Sequence, residues 1–199
     1  ATLHLEQTVP PTPGQPVKQP VPIGTRVESR EVLIAAMQAM AQAEVSEASA
    51  ELSFPGFATR PVLSINRGFS APVAVESDAS DEDLIFLAGH DDDPFARYEA
   101  MQALVVQHLV AAVSTGLGDV TRAQGGAAIG AALGAVIADP ALDDSMRGEL
   151  MILPAEAYLA EQLALADPGA IRLEREALKA WLGEELLGPL SALDARAST

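Results

Sequence analysis

Near Ser80 the periodicity of the chain changes, and that switch limits the fold more than any single residue does. Before it, short apolar runs alternate with polar residues and are punctuated by Pro and Gly, the pattern of strands with one buried face. After it, apolar residues recur every three to four positions in segments rich in Ala, Leu, Glu and Gln, the pattern of amphipathic helices. The expected fold class is α+β as two modules: a small Ig-like β-sandwich over residues 1–79, then an all-α, solenoid-like helical array over 80–199.

In the first module Leu3, Leu5 and Val9 alternate with His4, Glu6 and Thr8. The Pro-rich stretch 10–22 reads as a loop, and Val21 to Val27, Val32 to Ile34, Leu52 to Phe54, Val62 to Ile65 and Val73 to Val75 are further candidate strands. Residues 35–46 conflict with this pattern. Their Ala, Met, Gln and Glu content favours a helix on propensity alone, so this segment is expected to be helical or irregular.

In the second module Ser80-Asp-Glu-Asp83 has the form of a capping box, with Asp in place of the usual Glu or Gln. Asp93-Pro94 predicts a helix start, since Asp accepts backbone N–H bonds and Pro is tolerated at the first helical position. The apolar face of that helix includes Phe95, Met101, Leu104, Val105 and Leu109, and Gly116 and Gly118 end it. Further helices are expected over 126–138, 143–152, 155–165 and 170–187. Asp139-Pro140, Leu153-Pro154 and Asp167-Pro168 separate them, because the residue before Pro is disfavoured in the α region.

The net charge of −16 is unevenly spread. Residues 1–78 hold 8 acidic and 5 basic side chains, whereas 79–199 hold 20 and 7. Nucleic acid and anionic membrane surfaces require Lys and Arg, so neither is an expected partner. With no cysteine, disulfides, thiolate metal sites and a Cys nucleophile are excluded. The opening Ala1-Thr-Leu-His-Leu5 lacks a basic segment followed by an apolar one, so no signal peptide is expected. The longest apolar run, Ala127 to Ala138, is well short of the roughly 20 residues of a spanning helix.

Candidate chemistry is sparse. His4, His90 and His108 are far apart, and none has a second His one helical turn away. His108 lies among Leu104, Val105, Leu109 and Ala112 and reads as a core or boundary histidine. Asp91-Asp92-Asp93 lacks calcium-loop spacing and reads as helix capping. Gly125, Gly126, Gly130 and Gly134 fit neither a phosphate loop nor a dinucleotide fingerprint. The last three place small residues on one helix stripe, which suits close packing. Glu184/Glu185 and Asp143/Asp144 are adjacent in sequence, diverge on a helix and read as solvated faces. Trp181 is expected in the core, and Arg67 and Arg97 in structural ion pairs or strand-edge contacts. No catalytic, cofactor-binding or metal-ligating residue is assigned.

The stretch Asn66-Arg67-Gly68-Phe69-Ser70-Ala71-Pro72-Val73, with its lead-in Phe54-Pro-Gly-Phe-Ala-Thr-Arg-Pro-Val62, resembles the small β domain of bacterial aminopeptidase N, the zinc alanyl aminopeptidase family. The resemblance continues through His90-Asp-Asp-Asp-Pro-Phe95-Ala-Arg97-Tyr98-Glu-Ala100, with Tyr98 where the family usually has Trp. Ala135-Val-Ile-Ala-Asp139-Pro140-Ala-Leu142-Asp143, Leu153-Pro154, Asp167-Pro168-Gly-Ala-Ile171 and Arg175-Glu176-Ala177-Leu178 extend it. It implies an internal portion of a larger enzyme, which bridges and caps the active-site domain. The partners implied are the catalytic domain and remaining helical domain of the same parent chain, with peptide as the parent's substrate and small or basic N-terminal residues preferred. A cytoplasmic location is expected. The family's His-Glu-x-x-His zinc site and its Gly-Ala-Met-Glu-Asn segment are absent, so zinc belongs elsewhere in the parent and this chain alone should be inactive. Two other readings stay open: a stand-alone helical protein-interaction module, and an independent carboxylate-based hydrolase.

Overall fold

The computed structural model describes residues 2–7, 23–28, 41–45, 49–53, 57, 59–115 and 119–197. The chain divides into two compact units, Ala1–Ala79 and Ser80–Thr199.

The first unit contains five strands: β1 (Thr2–Glu6), β2 (Ile23–Glu28), β3 (Ala41–Val45), β4 (Ser49–Ser53) and β5 (Val62–Ile65). They form two antiparallel sheets, β1-β4 and β3-β2-β5. In the first, Leu3 faces Leu52 and Leu5 faces Ala50. These inward residues are half-buried, while Thr2, His4 and Glu6 alternate outward, as a pleat with one covered face requires. In the second, β2 pairs Ile23 with Val45 on one side and Thr25 with Ile65 on the other. Val62 and Ser64 are buried on β5, and Leu63 and Ile65 half-buried.

Two expectations fail here. The helix or irregular segment over 35–46 is, at Ala41–Val45, a strand bonded along its length to β2, so cross-strand pairing overrides local helix propensity. Residues 35–40 and 46 lie outside the described set, as do Val32 to Ile34, Val9 and the loop over 10–22. Val73 to Val75 is not a strand. Pro72 has no N–H to donate, and the Val73 N–H is taken by the Ala71 carbonyl at 2.9 Å.

The second unit is a run of seven helices: α1 (Asp81–His90), α2 (Pro94–Thr115), α3 (Asp119–Ala138), α4 (Asp144–Leu150), α5 (Glu156–Glu161), α6 (Pro168–Glu185) and α7 (Leu187–Ala197). The starts of α1 and α2 follow the predicted chemistry, whereas the caps of α4 and α6 were not read from the sequence and α6 begins at Pro168 rather than 170. Ser80 and Asp83 form the reciprocal capping box, with bonds of 3.2 and 3.1 Å. Asp93 accepts from the Ala96 N–H, Asp143 from that of Met146, and Asp167 from those of Gly169 and Ala170. The expected helices over 143–152 and 155–165 are shorter than read, because the N–H groups of Met151, Ile152 and Gln162 already fold back in tight terminal turns. The helix α7 was not anticipated; Pro189 falls in its first turn, where an amide N–H is unused.

α2 lies at the centre and packs against α1, α3, α4, α5 and α6. Ala96, Ala100, Met101, Leu104, Val105, Leu109 and Ala112 are buried along one stripe of it, and α3 adds Ile129, Ala132, Leu133, Val136 and Ile137. Phe95, read as part of the α2 stripe, is half-buried. No helix among the described residues is long and apolar enough to cross a membrane.

The helix expected from Gly126 begins at Asp119, so the glycines lie inside α3 rather than at its start. Their role is close packing. A methyl group at Gly126 would sit 3.3 Å from the Trp181 ring, and one at Gly130 also 3.3 Å from it. One at Gly125 would collide with the His108 imidazole, whereas Gly134 has open space. Trp181, expected in the core, is half-buried against this stripe. Gly134→Ala should therefore stabilise the helical unit by about 0.5–1 kcal/mol through helix propensity. Gly130→Leu should destabilise it by about 1–3 kcal/mol by displacing Trp181. Denaturant unfolding followed by fluorescence of the single Trp measures both.

Candidate functional site

Arg97 is 6% exposed. Each guanidinium nitrogen donates one bond: Nε to the Ala88 carbonyl at 3.1 Å, Nη2 to the Gly89 carbonyl at 3.0 Å, and Nη1 to Asp139 Oδ2 at 2.9 Å. Ala88 and Gly89 belong to the last turn of α1, whose carbonyls have no intrahelical donor, and Asp139 directly follows α3. Arg97 thus caps α1 from α2 while binding the end of α3.

Arg147 of α4 repeats the device from the other side. It donates to the carbonyls of Val136, Asp139 and Leu142 and pairs with Asp144. A third arginine, Arg175 of α6, donates to the Pro154 carbonyl at 2.9 Å. Burial by itself pushes the Asp139 carboxyl up. The Arg97 bond, the Ala141 N–H and the charges of Arg97 and Arg147 outweigh it and hold the group below its ordinary value. These groups are saturated by structural contacts, so the cluster has the form of a joint rather than of a reactive centre.

In the first unit the landmark Asn66–Val73 is a locked turn. Asn66, Gly68 and Phe69 have φ of 56°, 61° and 52°. Asn66 is 3% exposed; its Oδ1 accepts from the Ala71 N–H at 2.9 Å and from Ser70 Oγ at 3.2 Å, and its Nδ2 donates to the Ala71 carbonyl at 3.0 Å. Those bonds hold the left-handed backbone, which an aromatic residue such as Phe69 rarely adopts unaided. Arg67 donates to Ser64 Oγ on β5 at 3.0 Å, the strand-edge contact anticipated for it. An open cavity of about 420 Å³ in this unit is lined by Leu3, Leu5, Leu63 and Ile65, with Arg60 and Asp78 3.8 Å apart at its edge.

The other singled-out residues are scattered. His4 meets Glu51 across β1-β4 at 3.5 Å, His90 lies against Phe86 with ring centroids 5.4 Å apart and planes tilted by 52°, and His108 packs on Gly125. Asp91 accepts from the Asp93 N–H at 2.8 Å, and Asp93 caps α2. Asp143 caps α4, Asp144 pairs with Arg147, and Glu184 and Glu185 are exposed. Among the described residues, no three His, Asp or Glu groups converge to hold a metal ion.

Asp139 and Arg147 were not picked out as a pair by sequence reasoning. The available signal was an Arg one turn into the helix that follows Asp-Pro, where it can reach back to the preceding helix end.

The two units match two adjoining domain families. A profile described as "Domain of unknown function (DUF3458) Ig-like fold" matches residues 1–78, and one described as "Domain of unknown function (DUF3458_C) ARM repeats" matches 81–199. The chain belongs to this family, the C-terminal domains of M1 aminopeptidases. Its relatives are named Aminopeptidase N. That of Escherichia coli is 30% identical over 96% of this chain and 23% of its own length, and that of Caulobacter vibrioides 38% identical over 60% and 13%. A crystal structure of Legionella pneumophila aminopeptidase A in complex with aspartic acid is similar, with a TM-score of 0.70 and 26% identity over 87% of this chain and 20% of that one. The chain thus spans less than a quarter of the length of these relatives.

Arg97→Ala should destabilise the helical unit by about 3–5 kcal/mol, because it strands the Asp139 carboxylate and two buried carbonyls; thermal or denaturant unfolding measures this. The Asp139 carboxyl, depressed in the folded state, contributes stability that is present above its ordinary value of 3.8 and lost as pH falls through the lower folded value. The wild type should therefore lose stability over that acidic window relative to Asp139→Asn, as acid titration of both by circular dichroism would read.

Proposed function

We propose that this chain is a non-catalytic portion of a zinc-dependent aminopeptidase that removes N-terminal residues from peptides. The observation that carries the reading is the consecutive match of both domain families, in a chain that covers only 23% of the Escherichia coli Aminopeptidase N. In this reading the two small sheets of the first unit pack as a β-sandwich that bridges to the catalytic domain of the same parent, and the helical unit joins the rest of the helical domain to cap the active-site cavity. Zinc is held by parent residues outside this chain, and the whole enzyme acts in the cytoplasm. The arginine joints support such a role, since a cap must keep its helices fixed while a substrate enters and leaves. The purified chain, supplied with zinc, should release no chromophore from alanine para-nitroanilide. Release that rises with added zinc and is lost with a chelator would refute the assignment.

A further inference from the structure

The cavity of about 420 Å³ in the first unit combines an apolar lining with a charged edge. Its walls come from two different sheets, β1 of one and β5 of the other, and residues 76–78 border it as well. Leu3, Leu5, Leu63 and Ile65 are half-buried in that lining, and Pro61 is buried. Apolar side chains left half-covered in a cavity favour a ligand that removes them from water. Four consecutive residues, Thr2 to Leu5, line the cavity, so the β1 backbone borders it together with the side chains. Among the described residues β1 bonds to β4 alone, which leaves N–H and C=O groups on its other side. At the edge Arg60 Nη2 lies 3.8 Å from Asp78 Oδ1, and Glu76 adds a second carboxylate. The Arg60 and Asp78 side chains are 63% and 98% exposed, and an exposed pair of this kind exchanges readily with the charges of a ligand.

We propose that this cavity binds a free α-amino acid with a branched apolar side chain, such as leucine. Charge complementarity carries the choice of ligand. Arg60 takes the carboxylate, Asp78 and Glu76 take the ammonium, and the side chain lies against Leu5, Leu63 and Ile65. The open edge of β1 supplies further donors and acceptors for the same two groups. Opposite charges 3.8 Å apart match an ammonium and a carboxylate carried on one carbon, whereas the two termini of a longer peptide stand too far apart to meet both at once. A ligand without charge leaves the edge unused, and a polar amino acid leaves the apolar lining in water. The site uses no residue of the helical unit and needs nothing from the zinc chemistry, so its failure would leave the aminopeptidase reading standing.

The test is methyl-detected NMR of the 199-residue chain titrated with L-leucine. Binding with a Kd on the order of 1 mM should move the signals of Leu3, Leu5, Leu63 and Ile65 and leave those of Leu104 and Leu109 in place. Serine, which lacks the apolar side chain, should bind about tenfold more weakly. Isocaproate and isoamylamine, each lacking one of the two charges, should bind about threefold more weakly, and Arg60→Gln and Asp78→Asn should each weaken leucine by a similar factor. Circular dichroism melts establish that each variant folds, and the 98% exposure of the Asp78 side chain makes its variant safe in that respect. No movement on adding leucine, or movement spread over the helical unit, would overturn the proposal. So would equal affinity for serine or isocaproate, or wild-type affinity in both variants.

Discussion

Arg97 carries a permanent positive charge into the interior of the helical unit, and the groups that accept it decide how three helices meet. A buried guanidinium is tolerated only if its donors are taken, and here the takers are the orphan carbonyls at the end of α1 and the carboxylate that follows α3. Removing any one acceptor leaves a buried guanidinium N–H without that partner. Arg147 converges on the same point, binding the Asp139 backbone carbonyl while Arg97 binds its side chain. Asp139 is consequently held by two helices that both lie outside α3. Such a joint resists changes in helix angle that apolar packing by itself, being non-directional, would permit.

The glycine stripe of α3 is the apolar counterpart of that joint. Gly126 and Gly130 leave a shallow bed that the Trp181 ring fills, so α6 approaches α3 closely at a site set by shape rather than charge. Together the two contacts give α3 a fixed partner near its C-terminal end and another along its middle. That arrangement suits a scaffold. Arg97, Asp139, Asp143, Arg147 and Asp167 place their side chains in caps and joints.

Much of this was legible because helix ends obey local rules. Ser80 and Asp93 announce their helices through short-range bonds to backbone N–H groups, and the Asp-Pro steps mark the breaks. What escaped was non-local. Ala41–Val45 has a helix-forming composition and becomes a strand only because β2 offers a bonding edge. Gly126 looks like a helix start until the Trp181 ring occupies the space it leaves. The pairing of Arg97 with Asp139 spans 42 residues, and nothing at either position specifies the other. The absence of a His-Glu-x-x-His motif was plain from the residues themselves.

The central claim is that these two units serve a larger enzyme whose active site lies elsewhere in the same polypeptide. The most direct measurement is the mass of the polypeptide in cells that make it, detected with an antibody raised against this chain. A single band several times the 20.7 kDa of the chain, co-purifying with zinc-dependent aminopeptidase activity, is the predicted result. A band at 20.7 kDa with the activity residing in other fractions would contradict the account.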